Sequence, residues 1–203
     1  MDQTKITVKI LDELLSRFNE AINSSFIKKD AFLNHIIKGE TKELAIELDG
    51  FTLTGEARRH ISGALKRQGT RTVNITVEKS TAEELNKVVS KTNISRDAFI
   101  NRLIYLLLGT PRLLKALELP NETSHHLLRS AEGMEISPLP AIASIMGNPL
   151  FYLRIAHQEQ HGHGLYASED PISNDLHGLC CKINEVHVPG TEAYRENFSS
   201  DDL

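Results

Sequence analysis

The chain has 203 residues, 40% of them hydrophobic and 25% charged, with a formal net charge of −4. This composition supplies a buried core for one or two domains and excludes a disordered polymer. The longest apolar run, residues 103–108, falls well short of the ~18 residues that a membrane span needs.

Met1-Asp2-Gln3-Thr4-Lys5 lacks the basic and apolar regions of a signal peptide. The two cysteines, Cys180 and Cys181, are adjacent and make no disulfide framework, so a reducing, bacterial-type cytoplasm is expected. Trp is absent and aromatics are 5%, which argues against stacking platforms for single-stranded nucleic acid. The net charge conceals a division. Residues 1–115 carry 19 basic and 14 acidic side chains, whereas residues 116–203 carry 4 and 13. Seven of the nine histidines lie in the second part. A basic region facing a polyanion, with an acidic region in another role, would account for this.

In chain order, residues 5–10 alternate Lys5, Thr7, Lys9 with Ile6, Val8, Ile10. Period two with β-branched residues predicts a strand with one buried face. Leu11, Leu14, Leu15, Phe18 and Ile22 follow at helical spacing, and a second helix opens near Lys29. Asp30 then sits in its first turn, where an acid suits the helix dipole. Within the spacer, residues 43–48 are too few to assign, while residues 54–68 read as a helix closed by Gly69.

A second strand is predicted at 72–77, with Thr72, Asn74, Thr76 opposite in sense to Val73, Ile75, Val77. Ala82, Leu85, Val88 and Val89 make the next helical stripe, with Ser80 and Glu83 spaced as a capping box. Another helix begins near Arg96, with Asp97 in its first turn.

These two stretches are one motif used twice. Residues 5–37 align on 72–104 at a constant offset of 67 without a gap. Ile27-Lys28-Lys29-Asp30-Ala31-Phe32-Leu33-Asn34 falls on Ile94-Ser95-Arg96-Asp97-Ala98-Phe99-Ile100-Asn101, sharing Ile, Asp, Ala, Phe and Asn in register. A lone strand has no ladder partner, so the two strands are expected to pair antiparallel over four helices. Pairing within one chain and pairing between two chains both remain open.

Thr92-Asn93-Ile94-Ser95-Arg96-Asp97-Ala98-Phe99-Ile100-Asn101 resembles the helix–turn–helix junction of the ribbon-helix-helix (Arc/MetJ-like) superfamily of bacterial and phage DNA-binding proteins. The fold class expected is mainly α with a small antiparallel β-ribbon, built as tandem ribbon-helix-helix copies at 1–40 and 70–109. A helical spacer at 41–69 joins them, and an acidic, helical, loop-rich region at 110–203 follows. The resemblance implies that Lys5, Thr7, Lys9, Thr72, Asn74 and Thr76 read bases in the major groove. It further implies that Lys28, Lys29, Ser95 and Arg96 anchor phosphate beside the second helix of each copy. Copy one departs from the pattern, having Phe26 where Asn93 tolerates a left-handed turn, and Lys28 in place of the N-cap residue Ser95. Apart from the resemblance, the same six strand residues also suit a merely solvated sheet face. Arg58, Arg59, Lys66 and Arg67 suit either added phosphate contacts or a solvent-facing helix.

In the acidic part, Thr110-Pro111, Ser137-Pro138 and Asn148-Pro149 are cap-plus-first-turn signatures, predicting helices at 111–119, 138–146 and 149–160. His157, His161, His163, His177, Cys180, Cys181 and His187 are candidate zinc ligands. Their spacing matches no CxxC or His-Glu-x-x-His pattern, so no metal and no cofactor is expected. His157 with Glu159 has no accompanying nucleophile elbow or phosphate loop, so no catalytic residue is assigned and the chain is not expected to be an enzyme.

The reading is a sequence-specific regulator of transcription, repressor or activator, that binds double-stranded DNA in the cytoplasm at the nucleoid. A homo-oligomer, most simply a dimer, is expected, with a protein partner for the acidic region and no membrane. Two alternatives are a conjugation accessory protein binding a plasmid origin and an antitoxin-like interaction protein.

Overall fold

A computed structural model of the chain describes residues 2–24, 27–108, 149–150, 153–155, 158 and 164–166. It is mainly helical, with one two-stranded antiparallel sheet. In order come β1 (Gln3–Leu11), α1 (Asp12–Ser24), α2 (Lys29–Glu47), α3 (Gly55–Arg67), β2 (Thr70–Glu78), α4 (Lys79–Thr92) and α5 (Arg96–Leu108).

Each strand runs straight into its helix. β1 ends at Leu11, which the sequence pattern assigns to the helix and which instead completes the strand opposite Thr70. The expected capping box is also displaced, because α4 opens at Lys79 from an extended Glu78 with no side-chain cap. Ser80 is thereby left inside the first turn. The Lys79 N–H donates to the Asp2 carbonyl at 2.9 Å, so the neighbouring strand end does the work expected of a cap.

The spacer helix starts as its sequence suggests. Thr54 is the N-cap, accepting from the Ala57 N–H at 3.2 Å, and Gly69 at φ +81° turns the chain into β2. Residues 43–48, unassigned from sequence, mostly belong to α2, which continues past residue 40 to Glu47.

The core lies under one face of the ribbon. Ile6, Val8, Ile10, Ile75 and Val77 point into it, meeting Leu14, Leu15, Phe18, Leu33, Ile37, Leu85, Phe99, Leu103 and Ile104. The copies are intertwined: α2 packs on β2 and α4, while α5 packs on β1 and α1. The second helix of each copy therefore covers the other copy's strand, and neither half has a complete core alone. Leu150, Leu165 and Tyr166 add to this core from the distal part of the chain. Among the described residues no helix is long and apolar enough to cross a membrane.

Candidate nucleic-acid interface

Antiparallel register places the six outward polar residues in three directly opposed pairs: Lys5 with Thr76, Thr7 with Asn74, and Lys9 with Thr72. Thr76 is partly buried and the other five are exposed. The Thr7 hydroxyl donates to Asn74 Oδ1 at 2.8 Å, tying the two strands together in the middle of this face. The pattern is the direct consequence of period two, since one in-register pairing puts these six polar residues on one face and the β-branched apolar residues on the other, with Thr4 and Arg71 at the ends of the apolar face.

What the sequence pattern does not reveal is the use made of the Asp and Asn shared by the two copies. A two-stranded sheet has two open edges, and their N–H groups need acceptors. Asp97 Oδ1 accepts from the Lys9 N–H at 3.1 Å, and Asn101 Oδ1 accepts from the Leu11 N–H at 2.9 Å. Asn101 Nδ2 returns a bond to the Lys9 carbonyl at 2.8 Å. On the other edge Asp30 Oδ2 accepts from the Thr76 N–H at 3.2 Å, and Asn34 Oδ1 from the Glu78 N–H at 2.8 Å. Each copy's second helix thus clamps the other copy's strand. The five-residue match between 27–34 and 94–101 is the signal, and the positions of Asp and Asn one turn apart encode the clamp.

The four residues expected beside phosphate have unlike surroundings. Lys28 is exposed and stands at the start of α2 without a side-chain cap bond. Ser95 is buried, and its hydroxyl caps α5 by accepting from the Ala98 N–H at 3.3 Å. Arg96 is half-buried rather than free, because NH2 donates to the Thr7 carbonyl at 3.0 Å and NH1 reaches Asn86 Oδ1 at 3.4 Å. Lys29, its counterpart, reaches Asn19 Oδ1 at 3.5 Å, the same contact in copy one. Asn93 adopts φ 54°, the left-handed turn its residue type favours. Its amide donates to the Leu53 carbonyl at 2.7 Å and accepts from Arg58 NH1 at 2.7 Å, so the spacer helix is fastened to this turn. The turn expected at Phe26 lies outside the described residues.

Charge is distributed unevenly along the ribbon. Lys5 and Lys9 are exposed, as are Arg58, Arg59, Lys66 and Arg67 of α3. At the far end of β2, Lys38 bonds the Glu78 carboxylate at 2.9 Å, which holds that carboxyl below its usual range and raises the Lys38 ammonium.

A second polar cluster lies away from the ribbon. Arg154 contacts Glu40 at 2.5 Å, Glu47 more closely and Glu43 at 3.8 Å, and its guanidinium carbon stands 5.5 Å from the centre of the Tyr166 ring. The Tyr166 hydroxyl donates to Glu40 Oε2 at 2.5 Å, and Arg102 NH2 donates to the Leu165 carbonyl at 2.9 Å. Burial alone would lower the Arg154 pKa, but the Glu40 and Glu47 carboxylates outweigh it and raise it. These bonds dock the distal chain on α2 and α5. His157, His161, His163, His177, Cys180, Cys181 and His187 lie outside the described residues, as do the helices expected at 111–119 and 138–146. Among the described residues no group of three His, Cys, Asp or Glu side chains is placed to hold a metal. No family model, curated protein or solved structure matches the chain.

Proposed function

We propose that this chain is a sequence-specific double-stranded DNA-binding regulator of transcription, a tandem ribbon-helix-helix protein that reads the major groove with its β-ribbon. One observation carries the reading. Six polar side chains stand in three cross-strand pairs on the outer face of a ribbon whose inner face is core. A major groove ~12 Å wide admits a two-stranded ribbon. The residue types suit base edges, since Lys donates to guanine O6 and N7, Asn pairs with adenine, and Thr serves either role.

Lys28, Lys29 and Arg96 flank the face as phosphate anchors, with Ser95 acting through the helix start that it caps. The ribbon closes within one chain. The homo-oligomer expected from sequence would, on this reading, bring together chains that each carry a complete ribbon. On this reading the protein works at the nucleoid, and the acidic region contacts a protein partner.

The test is binding of the full chain to a pool of random duplexes across a salt series. If ~6 phosphates are neutralised, affinity falls about a thousandfold between roughly 50 and 200 mM salt despite the negative net charge. An enriched duplex motif supports the reading. Absence of any salt-dependent duplex affinity overturns it.

A further inference from the structure

We infer that the duplex site is non-palindromic and bound in one orientation, with guanines favoured on the DNA strand that faces β1. The inference rests on the groove-reading role of the ribbon.

Register sets the symmetry of the outer face. The repeat relates each residue of copy one to the residue 67 later, and the ladder pairs Thr7 with Asn74. That is the one rung whose two members are also repeat counterparts. The local two-fold axis of the ribbon therefore passes between Thr7 and Asn74. A reader symmetric about this axis would carry the same residue at each exchanged position. Here the axis exchanges Lys5 with Thr72, Thr7 with Asn74, and Lys9 with Thr76.

Both ammonium groups consequently stand on β1, and β2 has none on this face. They are four residues apart, about 14 Å along the strand at ~3.4 Å per residue, which is close to four base steps. Lys is a donor only, so it favours the two acceptors of guanine and is mismatched to the amino groups of cytosine and adenine. Thr72 and Thr76 both donate and accept and impose no such preference. Asn74 at the axis suits adenine, and its counterpart Thr7 does not reproduce that pairing.

The surroundings of the ribbon are unequal in the same sense. Among the described residues α3 has no counterpart following copy two, and it joins the ribbon at the Leu11/Thr70 end, where the Gly69 carbonyl accepts from the Asp12 N–H at 3.3 Å. Exposed Lys66 and Arg67 stand beside that join with the Arg71–Asp12 ion pair at 3.2 Å, whereas Asp2 and the Lys38–Glu78 pair stand at the other end. Lys66 and Arg67 in the last turn of α3 make that end the more basic of the two, which gives the bound chain a preferred direction on the duplex.

Selection of random duplexes by the full chain, followed by sequencing, tests the inference. The expected motif has no two-fold symmetry and shows guanines on one strand about four base pairs apart. Moving those guanines to the opposite strand weakens binding about tenfold. The triple variant Lys5→Thr, Thr7→Asn, Lys9→Thr gives copy one the outward residues of copy two, and it should select a palindrome. The reciprocal pair Thr72→Lys, Thr76→Lys should place guanines on both strands. Four of the five positions are exposed and Thr76 is partly buried, and thermal melting reports whether each variant folds. A palindromic motif for the natural chain, or an unchanged motif in both variant sets, overturns the inference while the DNA-binding reading stands. Duplex affinity without any motif overturns it also, and no duplex affinity at all removes the reading beneath it.

Discussion

Thr7 donates a hydrogen bond to Asn74 across the centre of the ribbon, 2.8 Å between the two oxygens, although the residues are 67 apart in sequence. The bond uses one lone pair of Asn74 Oδ1 and leaves the amide N–H groups and a second lone pair for a base edge. It also fixes the amide orientation in advance, which lowers the entropy lost on binding. Asn74→Ala should cost roughly 1–3 kcal/mol on the preferred site and much less on random duplex. Thr7→Val should weaken specific binding in the same direction by a smaller amount. Competition assays on both DNAs make the comparison, and equal losses on the two would remove the strand face as reader.

The structural role of Arg96 and its proposed role at phosphate separate experimentally. Its guanidinium bonds the Thr7 carbonyl on the ribbon and Asn86 on α4, while keeping part of its surface open. Arg96→Ala should therefore lower stability by about 1 kcal/mol, as expected for a partly exposed hydrogen bond. On DNA it should weaken specific and random binding nearly equally and flatten the salt slope by about one unit. Urea titration and a salt series measure the two effects independently.

The edge clamps predict an inequality between repeat counterparts. Asn101 is fully buried and bonds the Leu11 N–H, the Lys9 carbonyl and the Asp97 carbonyl. Asn34 is half-buried and bonds the Glu78 N–H. Asn101→Ala leaves two ribbon groups without partners and should cost about 3 kcal/mol, whereas Asn34→Ala should cost about 1 kcal/mol. Chemical denaturation of the two variants decides it. Equal costs would mean that the clamps are interchangeable ornaments of the repeat.

Periodicity and the internal repeat make the two strands, their helices and the outward face legible from the amino-acid sequence. Local rules suffice there: branched residues at period two, Thr54 before a helical stripe, Asn93 at a left-handed turn. Three things lie beyond those rules because they depend on partners distant in sequence. At the start of α4 the Lys79 N–H bonds the carbonyl of Asp2, just before β1, and Ser80 does not act as the cap. Asp30 and Asp97 suit a helix dipole, yet their carboxylates also serve the opposite copy's strand edge. Arg96 has the sequence position of a free surface cation and is drawn onto the ribbon. Glu40 is the plainest case: nothing near it in sequence suggests a buried carboxylate, and its partners Arg154 and Tyr166 lie more than a hundred residues away.

That buried cluster predicts an alkaline transition. Burial and the neighbouring Glu40 carboxylate push the Tyr166 phenol well above its ordinary value of 10.0. Its folded pKa is raised, so the neutral form is the one the fold holds. The associated stability is present below the unfolded pKa and is lost as pH rises through ~10 towards the folded value. Above pH ~10 stability should fall by up to about 1.4 kcal/mol per pH unit on this account alone. Tyr166→Phe removes the phenol and with it that part of the slope. It also takes one donor from Glu40, which keeps its ion pair with Arg154, so at pH 7 the variant should be less stable by about 1–2 kcal/mol. Phenolate absorbance against pH, followed beside the helical signal, measures this directly. Of the four tyrosines, Tyr166 should ionise only as the distal chain undocks, and the late absorbance step should vanish in Tyr166→Phe. A phenol at this position that ionises near pH 10 with the fold intact would show that the Glu40–Tyr166 contact does not hold the distal chain to α2.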